Sequence, residues 1–230
     1  MTGIRTPLRG QTERMSDFIF PQWTNRIKEI GGLLGAGGGL YAAVVIYLGF
    51  APKTITVGYE PEQPVPYSHA LHAGELGIDC RYCHTTVEEA GFAAIPPTQT
   101  CMNCHDKIRT ESELLAPLRE AHAKGLPVSW RKVHDLPDYV YFNHSAHVNK
   151  GVSCVECHGR VDTMEIVRID KELSMGWCLD CHRDPAPRLR PLDKVTDLDW
   201  VSDEDPQVLG ERLMEEHDVH TRTDCSTCHR

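Results

Sequence analysis

All ten cysteines of this 230-residue chain fall in five copies of one pattern, Cys-x-x-Cys-His: Cys80/Cys83/His84, Cys101/Cys104/His105, Cys154/Cys157/His158, Cys178/Cys181/His182 and Cys225/Cys228/His229. Two thiols three positions apart share one side of a helical turn, and the next residue adds an imidazole. Each copy can therefore bond a flat ligand at two points and offer a nitrogen to its centre, which is the attachment pattern of a c-type haem. The five motif histidines are then the proximal iron ligands. Residues 67–230 leave roughly 33 residues for each of five haems, too few to cover that many porphyrins with an ordinary apolar core. The chain is expected to be mainly α with much irregular structure, its haems forming much of the core. Short helices are expected near residues 111–123 and 206–217, and no strand pattern is evident.

Disulfides and zinc are the rival uses of ten cysteines. The first two motifs are separated by 17 residues and the third and fourth by 20, close to or within the spacing of paired zinc half-sites. Histidine after every second cysteine favours haem, because zinc needs no residue there.

Gly31 to Phe50 is a run of twenty residues without a charge, which as a helix would rise about 30 Å and cross the hydrocarbon core of a bilayer. A cleaved signal is the rival reading, but its apolar region is usually shorter, and a polar leader precedes this one. Arg5, Arg9, Arg14, Arg26 and Lys28 lie before the span and only Lys53 closely after it, which puts the N-terminus in the cytoplasm and the cysteine region in the periplasm. Phe18, Phe20 and Trp23 could seat the leader at the interface. Gly31, Gly35 and Gly39 recur every four residues, either as tolerated small residues or as a face for another transmembrane helix. The organisation expected is a leader (1–30), a transmembrane helix (31–50), a stalk (51–66) and a periplasmic domain (67–230), in a single-pass protein of a bacterial inner membrane.

The soluble part repeats itself. Tyr67-Ser-His69-Ala-Leu-His72 precedes the first two motifs and Phe142-Asn-His144-Ser-Ala-His147 the next two, with offsets of 75, 74 and 77 residues for the first histidine and the two motifs. His217 and His220 stand before the fifth. Repeats of about 67–140, 141–215 and 216–230 follow. Residues 54–230 carry 18 Lys and Arg against 30 Asp and Glu, a formal −12, so nucleic acid is excluded as a partner. The acidic run from Asp193 to Asp218 is either a solvated face or a means of steering a basic electron-transfer partner.

Eight histidines lie outside the motifs, enough to give all five irons a second imidazole: His69, His72, His122, His134, His144, His147, His217 and His220. The segments around His69/His72 and His144/His147 resemble those of class III cytochromes c and their multihaem relatives, in which an aromatic-x-His-x-x-His segment precedes the attachment motif. The resemblance implies that the first histidine of each pair ligates the haem that follows and the second reaches another. His69 would then serve the haem at Cys80/Cys83 and His144 that at Cys154/Cys157, with His72 and His147 crossing to neighbours. His217 or His220 would act near Cys225, although no aromatic precedes that pair; His134 is a further candidate, and His122 is expected to face solvent. Met102 and Met175 are rival ligands that would raise the potential of their haem.

Six-coordinate irons have no vacant site for a substrate, so the expectation is electron transfer rather than bond making. A single N-terminal anchor followed by five haem motifs resembles the pentahaem cytochrome subunit of alternative complex III. That resemblance implies five haem c groups, integral membrane and iron-sulfur partner subunits, a monohaem cytochrome c or oxidase as acceptor, and no catalysis by the chain alone. A membrane-anchored multihaem quinol dehydrogenase is the alternative; many carry methionine two residues beyond the first attachment histidine, where this chain has Thr86. A multihaem enzyme with an open distal side is a third reading, opposed by the surplus of histidines.

Overall fold

The computed structural model describes residues 20–229. Arg5, Arg9, Arg14, Phe18 and most of the expected leader lie outside the described residues. The described chain divides into two units, one ending at Phe50 and one beginning at Ala51.

In the first unit a 3-10 turn, Gln22–Arg26, leads directly into helix α1, Ile27–Phe50. The helical stretch from Trp23 to Phe50 has a mean hydropathy of 1.8 and no buried share, and it is long and apolar enough to cross a membrane. It begins a few residues before the uncharged run because Lys28 and Glu29 continue the helix at its polar end. A side-chain carbon at Gly31, Gly35 or Gly39 would meet nothing within 4 Å, so this face of α1 is open.

The second unit is built from short helices and loops, and among the described residues it has no strand, only isolated bridges between Val140 and His229 and between Val152 and Leu189. Four helices carry attachment motifs from the two repeats: α3 (Cys80–Cys83), α4 (Thr98–His105), α7 (Cys154–His158) and α8 (Met175–Arg183). A fifth, α10 (Cys225–Cys228), carries the last. Between them stand α2 (Pro52–Ile55), α5 (Ala116–Ala123), α6 (His144–Val148) and α9 (Pro206–Glu216). The residues just before the motifs start these turns: Asp79, Ser153 and Ser174 each cap with a side-chain oxygen that accepts a backbone N–H. At α9, Asp205 caps and Pro206 supplies a first residue already bent for the helix.

The protein core is small. Val87, Val148 and Val195 form one buried cluster, with Ala93 and Cys154 against it, and Leu189, Leu209 and Leu213 form another. Near the second, α9 lies so close to the 3-10 turn Ala186–Arg188 that a side-chain carbon on Gly210 would fall 1.7 Å from the Ala186 carbonyl oxygen. The segment expected as a stalk belongs to this unit: Gly58 N–H donates to Ile169 O, Ile169 N–H to Tyr59 O, and Val65 is buried.

The two repeats are joined where residues 88–91 of the first clasp α6 of the second. His144 N–H donates to Gly91 O, Ser145 N–H to Ala90 O, and the Asn149 amide to Glu88 O. The tail is pinned to the start of the second repeat at two points, by Tyr141 N–H donating to Cys228 O and by Lys150 Nζ donating to the carbonyls of His217 and Asp218.

Candidate functional site

The motif helices place the ten cysteines in a row that differs from their order in the chain. The Cys80 and Cys154 side chains are close neighbours, which brings the first motif to the third. Cys83 is close enough to Cys101 for their charges to interact; Cys157 stands in the same relation to Cys181 and Cys178, and Cys178 to Cys228. The spatial sequence is therefore Cys101/Cys104, Cys80/Cys83, Cys154/Cys157, Cys178/Cys181, Cys225/Cys228, with the two repeats joined in the middle. All ten cysteines are free, and among the described residues no group of three or more His, Cys, Asp or Glu converges to hold a bare metal ion.

Burial differs among the cysteines, and Cys104 stands out. It is exposed, as is Cys225, whereas the other eight are half-buried. The reason is position: Cys104 and Cys225 belong to the motifs at the two ends of the row, where no further motif packs beyond them. Cys101, on the same helix as Cys104, faces inward toward Cys83 and is half-buried.

Four of the five motif histidines give Nδ1 to a backbone carbonyl: His84 to Ala94 (2.8 Å), His105 to Ile108 (3.1 Å), His182 to Arg222 (3.0 Å) and His229 to Tyr139 (3.2 Å). A carbonyl only accepts, so the proton sits on Nδ1 and the Nε2 lone pair is left for a metal. At His158 the partner of Nδ1 is instead Nε2 of His134, at 3.3 Å.

The paired histidines repeat one geometry. Tyr67 stands edge-on to His69 (4.8 Å between ring centres, 88°) and stacks on His72 (4.5 Å, 23°); Phe142 does the same with His144 (4.8 Å, 85°) and His147 (4.6 Å, 27°). His72 and His147 donate Nδ1–H to the carbonyls four residues back, Ser68 and Asn143, while His144 donates to Gly91 across the repeat junction. Each pair meets motif histidines: His72 lies 6.2 Å from His105, His147 6.0 Å from His182 and His144 6.4 Å from His158, between ring centres. Two imidazoles on opposite sides of one metal, each bonded at about 2 Å, have ring centres about 6 Å apart. His69 lies near enough to His84 for their charges to interact.

Burial acts in the same direction. It lowers the pKa of His158 to about 3 and of His69 to about 4, and it also lowers those of His134 and His147, holding these rings in the neutral form that offers a lone pair. His69 Nδ1 and His217 Nε2 are buried without a hydrogen-bond partner.

Other candidates are placed differently. His217 lines a cavity of about 450 Å³ with Leu209, Leu213 and Arg212, whereas His220 is exposed with Nε2 on the Asp218 carboxylate at 2.8 Å. His122 is half-buried, with Nδ1 3.2 Å from the Thr98 hydroxyl, because α5 packs on α4; a solvent-facing position was the sequence expectation. Met102 is half-buried in α4, and Met175 is 62% exposed at the start of α8.

These features fit haem: paired thiols on a helical turn, neutral imidazoles with Nε2 free, and exposed apolar side chains beside the motifs, such as Phe92, Ile95 and Ile108, for a porphyrin to cover. The contact of His134 with His158 and the spatial order of the motifs were not visible in the sequence, since partners 24 or 74 residues apart leave no local pattern.

Comparison with known proteins agrees with this chemistry. Residues 140–230 match the family described as cytochrome c7 and related cytochrome c. The chain is also similar to the multiheme cytochrome c subunit of menaquinone reductase from Nitratidesulfovibrio vulgaris (strain Hildenborough), 33% identical over 144 residues that cover 60% of this chain and 67% of that protein. The chain belongs to the multihaem cytochrome c family.

Proposed function

We propose that the chain is the membrane-anchored, five-haem electron-transfer subunit of a quinol-oxidising respiratory complex of the alternative complex III kind. The spatial row of five motifs supports this reading, because each attachment position from Cys101/Cys104 to Cys225/Cys228 has another as its neighbour, the arrangement that electron transfer along a chain of haems needs. Haem c bound there supplies one-electron exchange without bond making. The protein's own groups hold the ten thioether positions, fix the proximal tautomers at His84, His105, His158, His182 and His229, and bring His69, His72, His144 and His147 to four of these rings. For the fifth, His217 is the buried candidate and His220 the exposed one. Helix α1 would keep the row at the periplasmic face of the inner membrane, beside integral membrane and iron-sulfur subunits, with a monohaem cytochrome c or oxidase as acceptor.

The name of the Nitratidesulfovibrio relative favours a second reading, in which electrons run from the haems to menaquinone. A membrane-anchored quinol dehydrogenase is the third. Purification in mild detergent tests all three. Copurifying membrane and iron-sulfur subunits, with haem reduction by quinol in the assembly but not in the isolated chain, are expected. Quinol reduction of the isolated chain, blocked by quinone-site inhibitors, would establish the dehydrogenase. An assembly that oxidises its reduced haems with menaquinone, yet is not reduced by quinol, would establish the reverse direction.

A further inference from the structure

We propose that His134 is a positioning residue for the haem at Cys154/Cys157: its Nε2 accepts the Nδ1–H of His158 and sets the orientation and donor strength of that ligand. This rests on the reading that His158 binds iron through Nε2.

His158 is the exception among the five motif histidines. The other four donate Nδ1–H to backbone carbonyls, whereas His158 meets a second imidazole, with nitrogens 3.3 Å apart, ring centres 4.3 Å apart and planes at 76°. Once Nε2 of His158 ligates, its Nδ1 must carry the proton, so Nε2 of His134 is the acceptor and the His134 proton lies on Nδ1. An imidazole nitrogen is a far more basic acceptor than an amide carbonyl, and a stronger acceptor on the outer nitrogen pushes electron density toward the metal. An iron held by Nε2 of His158 would find His144 as its second imidazole, since the His144 ring lies 6.4 Å from that of His158 with the planes 8° apart. His134 therefore stands behind the proximal ligand rather than across the iron from it.

The location gives this contact its consequence. Cys154/Cys157 is the middle position of the row, joined to Cys80 on one side and to Cys178 and Cys181 on the other. A more strongly donating His158 favours ferric iron, so His134 lowers the potential of the one haem that both halves of the row must use.

The test uses the purified holoprotein with His134→Phe, which keeps a planar ring without an acceptor, and His134→Gln, whose amide oxygen accepts as the carbonyls do at the other four sites. Potentiometric titration should show one midpoint of five raised in His134→Phe, and raised less in His134→Gln, with all five haems still low spin. Unchanged midpoints in His134→Phe would overturn the proposal. So would a new high-spin haem that binds carbon monoxide, since His134 would then be an axial ligand. Failure of the underlying reading is separately visible as a wild-type peptide spanning Cys154 and Cys157 without the mass of haem.

Discussion

The first repeat and the second place an aromatic ring and two histidines alike to within a few degrees and tenths of an ångström, and then secure them by different means. In the second, His144 is locked by Gly91 of its neighbour and His158 by His134; in the first, His84 is held by a local carbonyl and His69 Nδ1 has no partner at all. The geometry of each histidine pair thus follows from the repeated segment itself, whereas the partner of each outer nitrogen is supplied by the rest of the fold.

The most direct way to break this comparison is to remove the ligands. His69→Ala and His144→Ala should each convert one of the five haems from low to high spin and let it bind carbon monoxide, read by optical spectroscopy. A variant that stays fully low spin would remove that histidine from the axial set. Wild-type titration sharpens the same point: the haem at Cys80/Cys83, with an unassisted His69, should have a higher midpoint than that at Cys154/Cys157.

A second contrast lies in packing. In the first repeat the histidine pair sits on a π-turn, Ala70–Glu75, pressed against the 3-10 turn Val161–Thr163, and a side-chain carbon on Gly74 would lie 2.3 Å from the Asp162 carbonyl oxygen. The equivalent position in the second repeat is Asn149, which is exposed and donates to Glu88 O. Gly74→Ala should therefore cost about 1 to 3 kcal/mol through overpacking. Asn149→Ala should cost about 0.5 to 1.5 kcal/mol, the worth of one hydrogen bond. Denaturant titration of both variants checks the order, and equal costs would show that the turn yields freely.

What could be read in the sequence was what is written locally. The attachment positions, the two histidine pairs and helices α5 and α9 all follow from short patterns, α9 even from its Asp205 and Pro206 start. The order of the motifs in space did not, because it is set by Cys80 meeting Cys154 and by residues 88–91 gripping α6, contacts between segments that carry no mutual signature. For the same reason the exposure of Cys104 was not legible: five identical motifs do not show which two stand at the ends of the row. The segment before Pro66 reads as a stalk from its prolines, but its edge pairs with Ile169. His134 reads as a further ligand candidate, and its contact with His158 was not legible, because a sequence shows an imidazole without showing which nitrogen of which neighbour it meets.

The smallest contrast is in the caps of the two leading motifs. Ser153 is 1% exposed; its hydroxyl donates to Val195 O and accepts from Val155 N–H, so Ser153→Ala should cost about 1 to 2 kcal/mol at any pH in the stable range. Asp79 does the same task in the first repeat near the surface, accepting from Arg81 N–H and pairing with the Arg81 guanidinium and the Thr196 hydroxyl. The hydrogen bond from the Arg81 side chain is the main cause of its carboxyl pKa falling to about 2, against an opposing push from burial. A folded-state pKa below the unfolded value means that the charge stabilises the fold fully above the unfolded value, and that this contribution is lost as pH falls through about 2. Asp79→Ala should therefore cost about 0.5 to 1 kcal/mol near neutrality, the pair being exposed, and progressively less as pH falls from about 5 toward 2. Because the Ser153 hydroxyl does not titrate there, the Ser153→Ala deficit should stay constant over the same range; an Asp79→Ala deficit equally independent of pH would show that the carboxylate acts at α3 as a hydrogen-bond acceptor alone, without the benefit of its charge.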